Sequence, residues 1–162
     1  MPQIIKTGGE AVEIERKFLI SKENLPKDIE RYSFHLIEQA YLCMNPVIRI
    51  RRQDEQYIFT YKGRGMMTRE EYNLPLTKEG YVHLLKKADG IVITKKRYLI
   101  PLESGYTAEL DEFYGEYQGL LMAEVEFATE EEANTFVKPD WFGEDVTFDE
   151  RYHNSYMSAG RK

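Results

Sequence analysis

The chain is poor in the residues that most often bind transition metals. It has one cysteine, Cys43, and three histidines, His35, His83 and His153, among 162 residues. A single thiol allows neither a disulfide within the chain nor a zinc site built from cysteines. No two histidines have the spacing of a metal-binding pair, so structural or surface roles are expected for all three. We therefore expect a reduced, cytoplasmic protein.

Long apolar segments and an excess of basic charge are also missing. No stretch approaches the roughly 20 apolar residues that cross a bilayer, and the N-terminus lacks the apolar core of a secretory signal. The net charge of −6 argues against a nucleic-acid partner, because phosphate backbones bind basic surfaces. A hydrophobic content of 42% with 31% charged residues is typical of a globular protein. We expect neither a membrane nor a nucleic acid as partner.

Turn signals divide the chain into many strands and few helices. Eight strands are predicted, at about 11–20, 34–43, 46–53, 56–62, 69–74, 91–100, 105–113 and 119–128. Because they follow one another mostly as hairpins, we predict an α+β fold that is mainly antiparallel β, an eight-stranded closed barrel with a few flanking helices. The whole chain, 1–162, is predicted to be one domain, with a loose lead-in at 1–10.

Three helices are predicted from periodicity and capping signals. Apolar residues at helical spacing predict a helix over about 77–89. The Thr-x-x-Glu spacing of a capping box begins at Thr129 and again at Thr147. It predicts a short helix ending before Pro139 and a C-terminal helix within 147–162, running through Tyr156.

In seven of the predicted strand segments, one set of alternate positions carries charge, and in at least five of them two charged residues stand two positions apart. Because successive side chains of a strand point to opposite faces, these charges share one face of the sheet. Their signs are sorted strand by strand, whereas a solvated surface intersperses them. We interpret this face as a polar lumen, with Arg16, Arg52 and Lys96 on the exterior. Its seven acidic and six basic residues sum to −1: Glu13, Glu15, Glu71, Glu109, Asp111, Glu124 and Glu126 with Lys17, Arg49, Arg51, Lys62, Lys95 and Arg97.

Such a lumen must be wet, paired or filled, because each unpaired buried ion costs roughly several kcal/mol. Converging arginines and lysines suit phosphate oxygens. Clustered carboxylates without histidine or cysteine suit a hard cation, Mg²⁺ or Mn²⁺. A polyphosphate would gain little from a lumen of net −1, so we expect two divalent ions to supply the missing positive charge. Metal-assisted phosphoryl transfer is the predicted chemistry.

The motif Glu13-Ile-Glu15-Arg-Lys17 resembles the ExExK signature of the CYTH superfamily, the triphosphate tunnel metalloenzymes. The segments at 47–51, 59–63, 94–98, 108–113 and 121–126 also resemble family strands in family order, and 139–155 resembles the ending of small bacterial members. The similarity covers roughly residues 11–157. It implies an eight-stranded antiparallel tunnel and activity on a triphosphate with Mg²⁺ or Mn²⁺.

The resemblance also implies roles for individual residues. Lys17 and Glu126 would be catalytic, with Lys17 assisting the attacking water. The triphosphate would be bound by Lys17, Arg49, Arg51, Lys62, Lys95 and Arg97. The metal would be held by Glu13, Glu15, Glu109, Asp111, Glu124 and Glu126, with Glu109 and Asp111 as further ligands or just behind them. Asn73 stands where small members often have a second acidic residue, so only Glu71 of that strand is carried over.

We predict a divalent-metal-dependent hydrolase of inorganic triphosphate, with nucleoside triphosphates as further substrates. One alternative is a class IV-type adenylate cyclase or a thiamine triphosphatase. A second is a non-catalytic module that binds polyphosphate or nucleotide. The paired carboxylates of 13–15 and 124–126 argue against this module, because an anion binder has little use for them. The sequence leaves open the oligomeric state and the choice between Mg²⁺ and Mn²⁺, which are both hard, oxygen-seeking ions.

Overall fold

The computed structural model describes residues 12–160, and the predicted lead-in at 1–10 lies outside them. The strands are β1 (Glu13–Leu19), β2 (Phe34–Met44), β3 (Val47–Gln53), β4 (Gln56–Lys62), β5 (Thr68–Arg69), β6 (Glu71–Pro75), β7 (Asp89–Pro101), β8 (Thr107–Phe113) and β9 (Leu121–Glu126). They form one nine-stranded sheet in the order β5-β1-β9-β8-β7-β2-β3-β4-β6. Each pair of neighbours is antiparallel.

The predicted class, a mainly antiparallel barrel, is confirmed, but the predicted count of eight strands is wrong by one. The segment predicted as a single strand at about 69–74 is divided into β5 and β6. The first half pairs with β1, and the second half pairs with β4. Because β1 and β4 lie near opposite ends of the sheet, this kinked segment joins the ends and nearly closes the barrel.

Two of the three predicted helices form as their caps indicate. Helix α1 is Lys78–Leu85, and the Thr77 hydroxyl accepts a hydrogen bond from the Gly80 N–H at its N-terminus. Helix α2 is Glu130–Thr135, and both hydrogen bonds of the Thr129–Glu132 capping box are present.

The predicted C-terminal helix within 147–162 forms only in part, because its predicted start at Thr147 is wrong. A short 3-10 turn, Glu150–Tyr152, is followed by helix α3, Asn154–Ser158. The Thr147 hydroxyl starts no helix because it accepts a hydrogen bond from the backbone N–H of Lys17 at 3.0 Å. Asp149 caps the 3-10 turn instead. The capping-box spacing at 147–150 therefore reflects a tertiary contact with β1 rather than a helix start.

Residues 143–147 cover the edge of β1 that β5 leaves unpaired. The Gly143 N–H donates to the Leu19 carbonyl at 2.8 Å, and the Leu19 N–H donates to the Glu144 carbonyl at 2.8 Å. The Val146 N–H donates to the Lys17 carbonyl at 2.9 Å. An irregular segment thus completes the wall on this side, and we call it the seam segment.

The apolar side chains pack mainly outside the barrel wall. A large cluster includes Phe18, Leu110, Val125 and Phe142, and a smaller one packs Tyr81 of α1 against the β2–β3 face. A third cluster places Met157 of α3 against lumen-face residues of β7, β8 and β9 at one end of the interior. The helices and loops therefore bury the outer faces and leave the interior to polar groups. Within residues 12–160, no helix is both long and apolar enough to cross a membrane.

The contact between the seam segment and β1 leaves no room for a side chain at Gly143. An added Cβ would lie 2.6 Å from the Leu19 carbonyl oxygen, so we expect Gly143→Ala to lower the free energy of unfolding by about 2 kcal/mol. Gly63→Ala is the matched control, because its Cβ would meet only the Glu70 side chain, at 3.5 Å. Urea unfolding of both variants tests this, and equal losses of stability would contradict the close contact.

Candidate functional site

The barrel encloses a cavity of about 560 Å³ to which all nine strands contribute. All but one of the predicted site residues line it: Glu13, Glu15, Lys17, Arg49, Arg51, Lys62, Lys95, Arg97, Glu109, Glu124 and Glu126. The exception is Asp111, which shares the inward phase of β8 but is fully buried against Lys95 and Arg97. The alternation of charges along the strands therefore predicted the inner face correctly.

The charges predicted to lie outside the lumen do so. Arg16 forms an ion pair with Asp145 at 2.7 Å, and Lys96 lies over the ring of Phe34, 4.1 Å from its centroid. Arg52 is exposed.

Asp111 neutralises two cations of the wall. Its two oxygens accept hydrogen bonds from Arg97 at 2.7 and 2.8 Å, and Lys95 Nζ lies 2.7 Å from one of them. Burial alone would raise the pKa of Asp111, but Arg97 and Lys95 hold it below its usual value. Because both oxygens are engaged by cations, Asp111 has the contacts expected of a residue just behind the metal ligands, the second of its two predicted positions.

Two further predicted metal ligands, Glu109 and Glu124, line the cavity but already have cationic partners. Arg97 contacts Glu109 at 3.1 Å and Glu124 at 3.3 Å. Lys17 Nζ lies 3.4 Å from Glu124 and donates a hydrogen bond to the Tyr152 carbonyl at 3.3 Å. Although burial opposes ionisation, Lys17 and Arg97 keep the pKa of Glu124 well below its usual range. Glu124 is therefore ionised, whereas burial raises the pKa of Glu109 despite its contact with Arg97.

Arg49 and Arg51 are different, because neither is paired with a carboxylate within residues 12–160. Arg51 donates through Nε and Nη2 to Gln39 Oε1 at 2.9 and 2.6 Å. Arg49 donates to Thr60 Oγ1 at 3.2 Å, and its Nε is buried without a partner. Burial, Arg49 and Arg97 lower the pKa of Arg51 to about 9. These two guanidinium groups leave the cavity with positive charge that an anion would neutralise.

A cluster of negative charge lies in the same cavity. It consists of Glu13, Glu15 and Glu126, whose carboxylate oxygens lie within 4.8 Å of one another. No hydrogen bond or ion pair reaches the Glu15 carboxylate from the described part of the chain. Burial and repulsion from Glu124 and Glu13 raise its pKa well above the usual value. Glu126 is exposed to the lumen, yet crowding by protein atoms and repulsion from Glu109 raise its pKa to about 8.

The three clustered carboxylates have little cationic compensation of their own. Lys62 contacts Glu13 at 3.0 Å but also lies 3.5 Å from Glu71. Arg69 Nε lies 3.7 Å from Glu13. Hard oxygen donors brought together in this way fit Mg²⁺ or Mn²⁺. A bound cation would also reverse the repulsion that now opposes ionisation of the cluster.

Several residues in and around the lumen are not predicted by the alternation of charged residues. Gln39 and Tyr41 continue the inward phase of β2, and Asn154 enters from α3. Arg69 lines the cavity from β5. Its inward orientation could not be predicted, because the segment predicted as one strand is divided into β5 and β6. Asn73 accepts from Thr60 Oγ1 at 2.7 Å and donates to the neighbouring carboxylate of its strand at 2.7 Å. The neutral Asn73 thus supports the wall through hydrogen bonds.

Comparisons with known proteins place these features in a family context. A model described as the CYTH domain matches residues 11–158. The inorganic triphosphatase of Nitrosomonas europaea is 37% identical over 149 residues, covering 90% of this chain and 96% of that protein. The inorganic triphosphatase of Acetivibrio thermocellus is 37% identical over 155 residues, covering 90% and 92%. The crystal structure of the inorganic triphosphatase NE1496 superposes with a TM-score of 0.68 at 33% identity, covering 91% and 94%.

The buried His153 at the cavity wall predicts a pH-dependent stability. Its Nε2 lies 2.9 Å from the Thr147 carbonyl oxygen, and burial together with the charge of Lys17 lowers its pKa from 6.5 to about 4. Between these pH values the unfolded chain binds more protons, so this group's contribution to stability is present above pH 6.5 and is lost as the pH falls toward 4.

We expect the wild type to lose about 2 kcal/mol more unfolding free energy than His153→Gln between pH 7 and 4.5. Glutamine keeps an N–H donor for the carbonyl but does not titrate. Urea unfolding at the two pH values measures the difference, and parallel losses in both proteins would contradict the lowered pKa.

Proposed function

The chain belongs to the CYTH domain family, and we propose that it hydrolyses inorganic triphosphate with divalent metal ions inside the lumen of its barrel. The resemblance predicted from ExExK is confirmed, and the relatives agree with the predicted triphosphatase class of enzyme. The site residues, the ions and the place of binding are our proposal. Nucleoside triphosphates are proposed as further substrates.

One observation carries this proposal. The same cavity contains two arginines without a carboxylate partner, Arg49 and Arg51, and a cluster of three carboxylates short of cations. A lumen lined in this way favours an anion and a cation that enter together, since either alone would leave one group of charges uncompensated. A metal-bound triphosphate has this composition.

The cationic residues would bind and orient the triphosphate. Arg49 and Arg51 present planar guanidinium groups that suit two phosphate oxygens each. Lys62, Lys95 and Arg97 line the same cavity in ion pairs and would add charge along the chain of phosphates. Asp111 favours the charged forms of Lys95 and Arg97, although burial still lowers the pKa of Lys95 to about 7. We propose this supporting role for Asp111 rather than direct metal binding.

Glu13, Glu15 and Glu126 would hold the metal, with Glu109 and Glu124 of the adjacent strands beside them. A divalent ion there would withdraw charge from the phosphoryl oxygens and make a bound water more acidic. We propose two ions, either Mg²⁺ or Mn²⁺, because the ligands are all carboxylates and the substrate is a polyanion.

Lys17 and Glu126 would act on the reacting groups. Glu126 is the cluster carboxylate open to water in the lumen, so it can orient the attacking water and accept its proton on a carboxylate oxygen. Attack on the terminal phosphorus then breaks the bridging P–O bond and releases phosphate and diphosphate. Lys17 is fixed by Glu124 and the Tyr152 carbonyl, and its ammonium would contact the attacking water or a terminal phosphate oxygen.

The substrate assay uses tripolyphosphate and ATP side by side with Mg²⁺ or Mn²⁺. We expect phosphate release from tripolyphosphate, and a fall of about 100-fold or more in kcat for Glu126→Gln and Lys17→Ala. Lys96→Ala, on the outer face, is the control and should retain wild-type kinetics. Cyclic nucleotide as the main product would favour the cyclase, binding without turnover would favour the non-catalytic module, and full activity in either lumen variant would remove that residue from the mechanism.

A further inference from the structure

The part of the chain that follows the seam segment contributes side chains to the lumen. After residues 143–147 follow β1, the chain turns so that His153, Asn154 and Ser155 line the cavity. Asn154 begins α3, and its Oδ1 accepts two hydrogen bonds, from Gln39 Nε2 at 2.9 Å and from Lys95 Nζ at 3.1 Å.

Gln39 connects Asn154 to a second cation. It is completely buried, and its Oε1 accepts both hydrogen bonds from Arg51, at 2.9 and 2.6 Å. Its Nε2 then faces Asn154. The four residues therefore form one chain of contacts, in which Arg51 donates to Gln39, Gln39 donates to Asn154, and Lys95 donates to the same Asn154 oxygen.

The direction of every hydrogen bond in this chain is fixed by its ends. Arginine and lysine can only donate, so the oxygen of Gln39 must face Arg51 and the oxygen of Asn154 must face Lys95. Turning either amide around would place a donor against a donor. The two amides thus have a single consistent arrangement, and it locks the positions of the guanidinium and ammonium groups.

The linking groups are also uncharged. Asp111 already offsets charge on Lys95, whereas the side-chain partner of Arg51 within residues 12–160 is an amide oxygen. A carboxylate in place of either amide would hold the cation equally well but would cancel part of the attraction for an anion. Amides orient the two cations and leave their charge available.

We propose that Asn154 is a positioning residue that sets Arg51, through Gln39, and Lys95 in the geometry that binds triphosphate. The inference rests on the proposed function, since it assigns Arg51 and Lys95 to the substrate. It makes α3 part of the binding site, so that this helix and three strands, β2, β3 and β7, position the cationic groups together.

Steady-state kinetics of Asn154→Ala with tripolyphosphate give the first test. We expect KM to rise about tenfold, the loss of roughly one hydrogen bond to a charged group, with a smaller change in kcat. In the Gln39→Ala background the same substitution should raise KM by about threefold or less, because its link to Arg51 is already broken. Asn134→Ala, on the exposed face of α2, is the control and should leave both constants unchanged.

A second test does not depend on turnover. It uses NMR to measure how fast the Arg51 Nε–H proton exchanges with water. Exchange should be slow in the wild type and in Asn154→Asp, which keeps the acceptor oxygen, and faster in Asn154→Ala. Asn154→Asp should nevertheless raise KM, because it adds negative charge beside Lys95.

An unchanged KM in Asn154→Ala, equal effects in both backgrounds, or exchange that stays slow in that variant would overturn the proposal. If the wild type does not cleave tripolyphosphate, the proposed function fails, and proton exchange alone then decides whether Asn154 positions Arg51.

Discussion

The fully buried contact of Asp111 with Arg97 and Lys95 is the interaction on which the lumen depends. Two cations in a closed interior would otherwise repel each other and resist ionisation. With Asp111 paired to both, Lys95 and Arg97 stay in place, and Arg97 can also contact Glu109 and Glu124. This leaves the remaining charge unevenly distributed: excess positive charge at Arg49 and Arg51, and excess negative charge at the Glu13, Glu15 and Glu126 cluster.

Because the interior is charged, most of the apolar core lies on the outer faces of the barrel strands. The outward faces of the strands are covered by α1, α2 and the segment around Phe142, so burial of apolar surface stabilises the wall without filling the lumen. An apolar cluster closes one end of the interior, where Met157 of α3 packs. The same terminal region covers the free edge of β1 and brings Asn154 to Lys95. Closure of the barrel and construction of the site are therefore achieved by one continuous segment of the chain.

Most of the prediction of fold and site came from the alternation of residues along the strands. A period of two determines which face of the sheet a residue occupies, and it does so independently of the residue's contacts. It placed Lys17, Arg49 and Glu124 correctly on the inner face. It could not separate β5 from β6, since that kink arises when one segment pairs with both ends of the sheet. Nor could it distinguish Asp111 from the lumen carboxylates or find Asn154, because both assignments depend on contacts between residues distant in sequence. The local Thr-x-x-Glu signal at 147–150 was misleading for the same reason.

The central claim is that the lumen accepts a triphosphate and divalent metal together. Calorimetric titration with an imido analogue of triphosphate, which has nitrogen bridges and resists hydrolysis, measures this coupling directly. We predict that Mn²⁺ or Mg²⁺ tightens binding of the analogue to the wild type by about 100-fold, a coupling near the upper end of the usual range. Glu15→Gln, which removes the carboxylate without a partner, should lose most of this gain. Equal affinity with and without metal in the wild type would contradict the account.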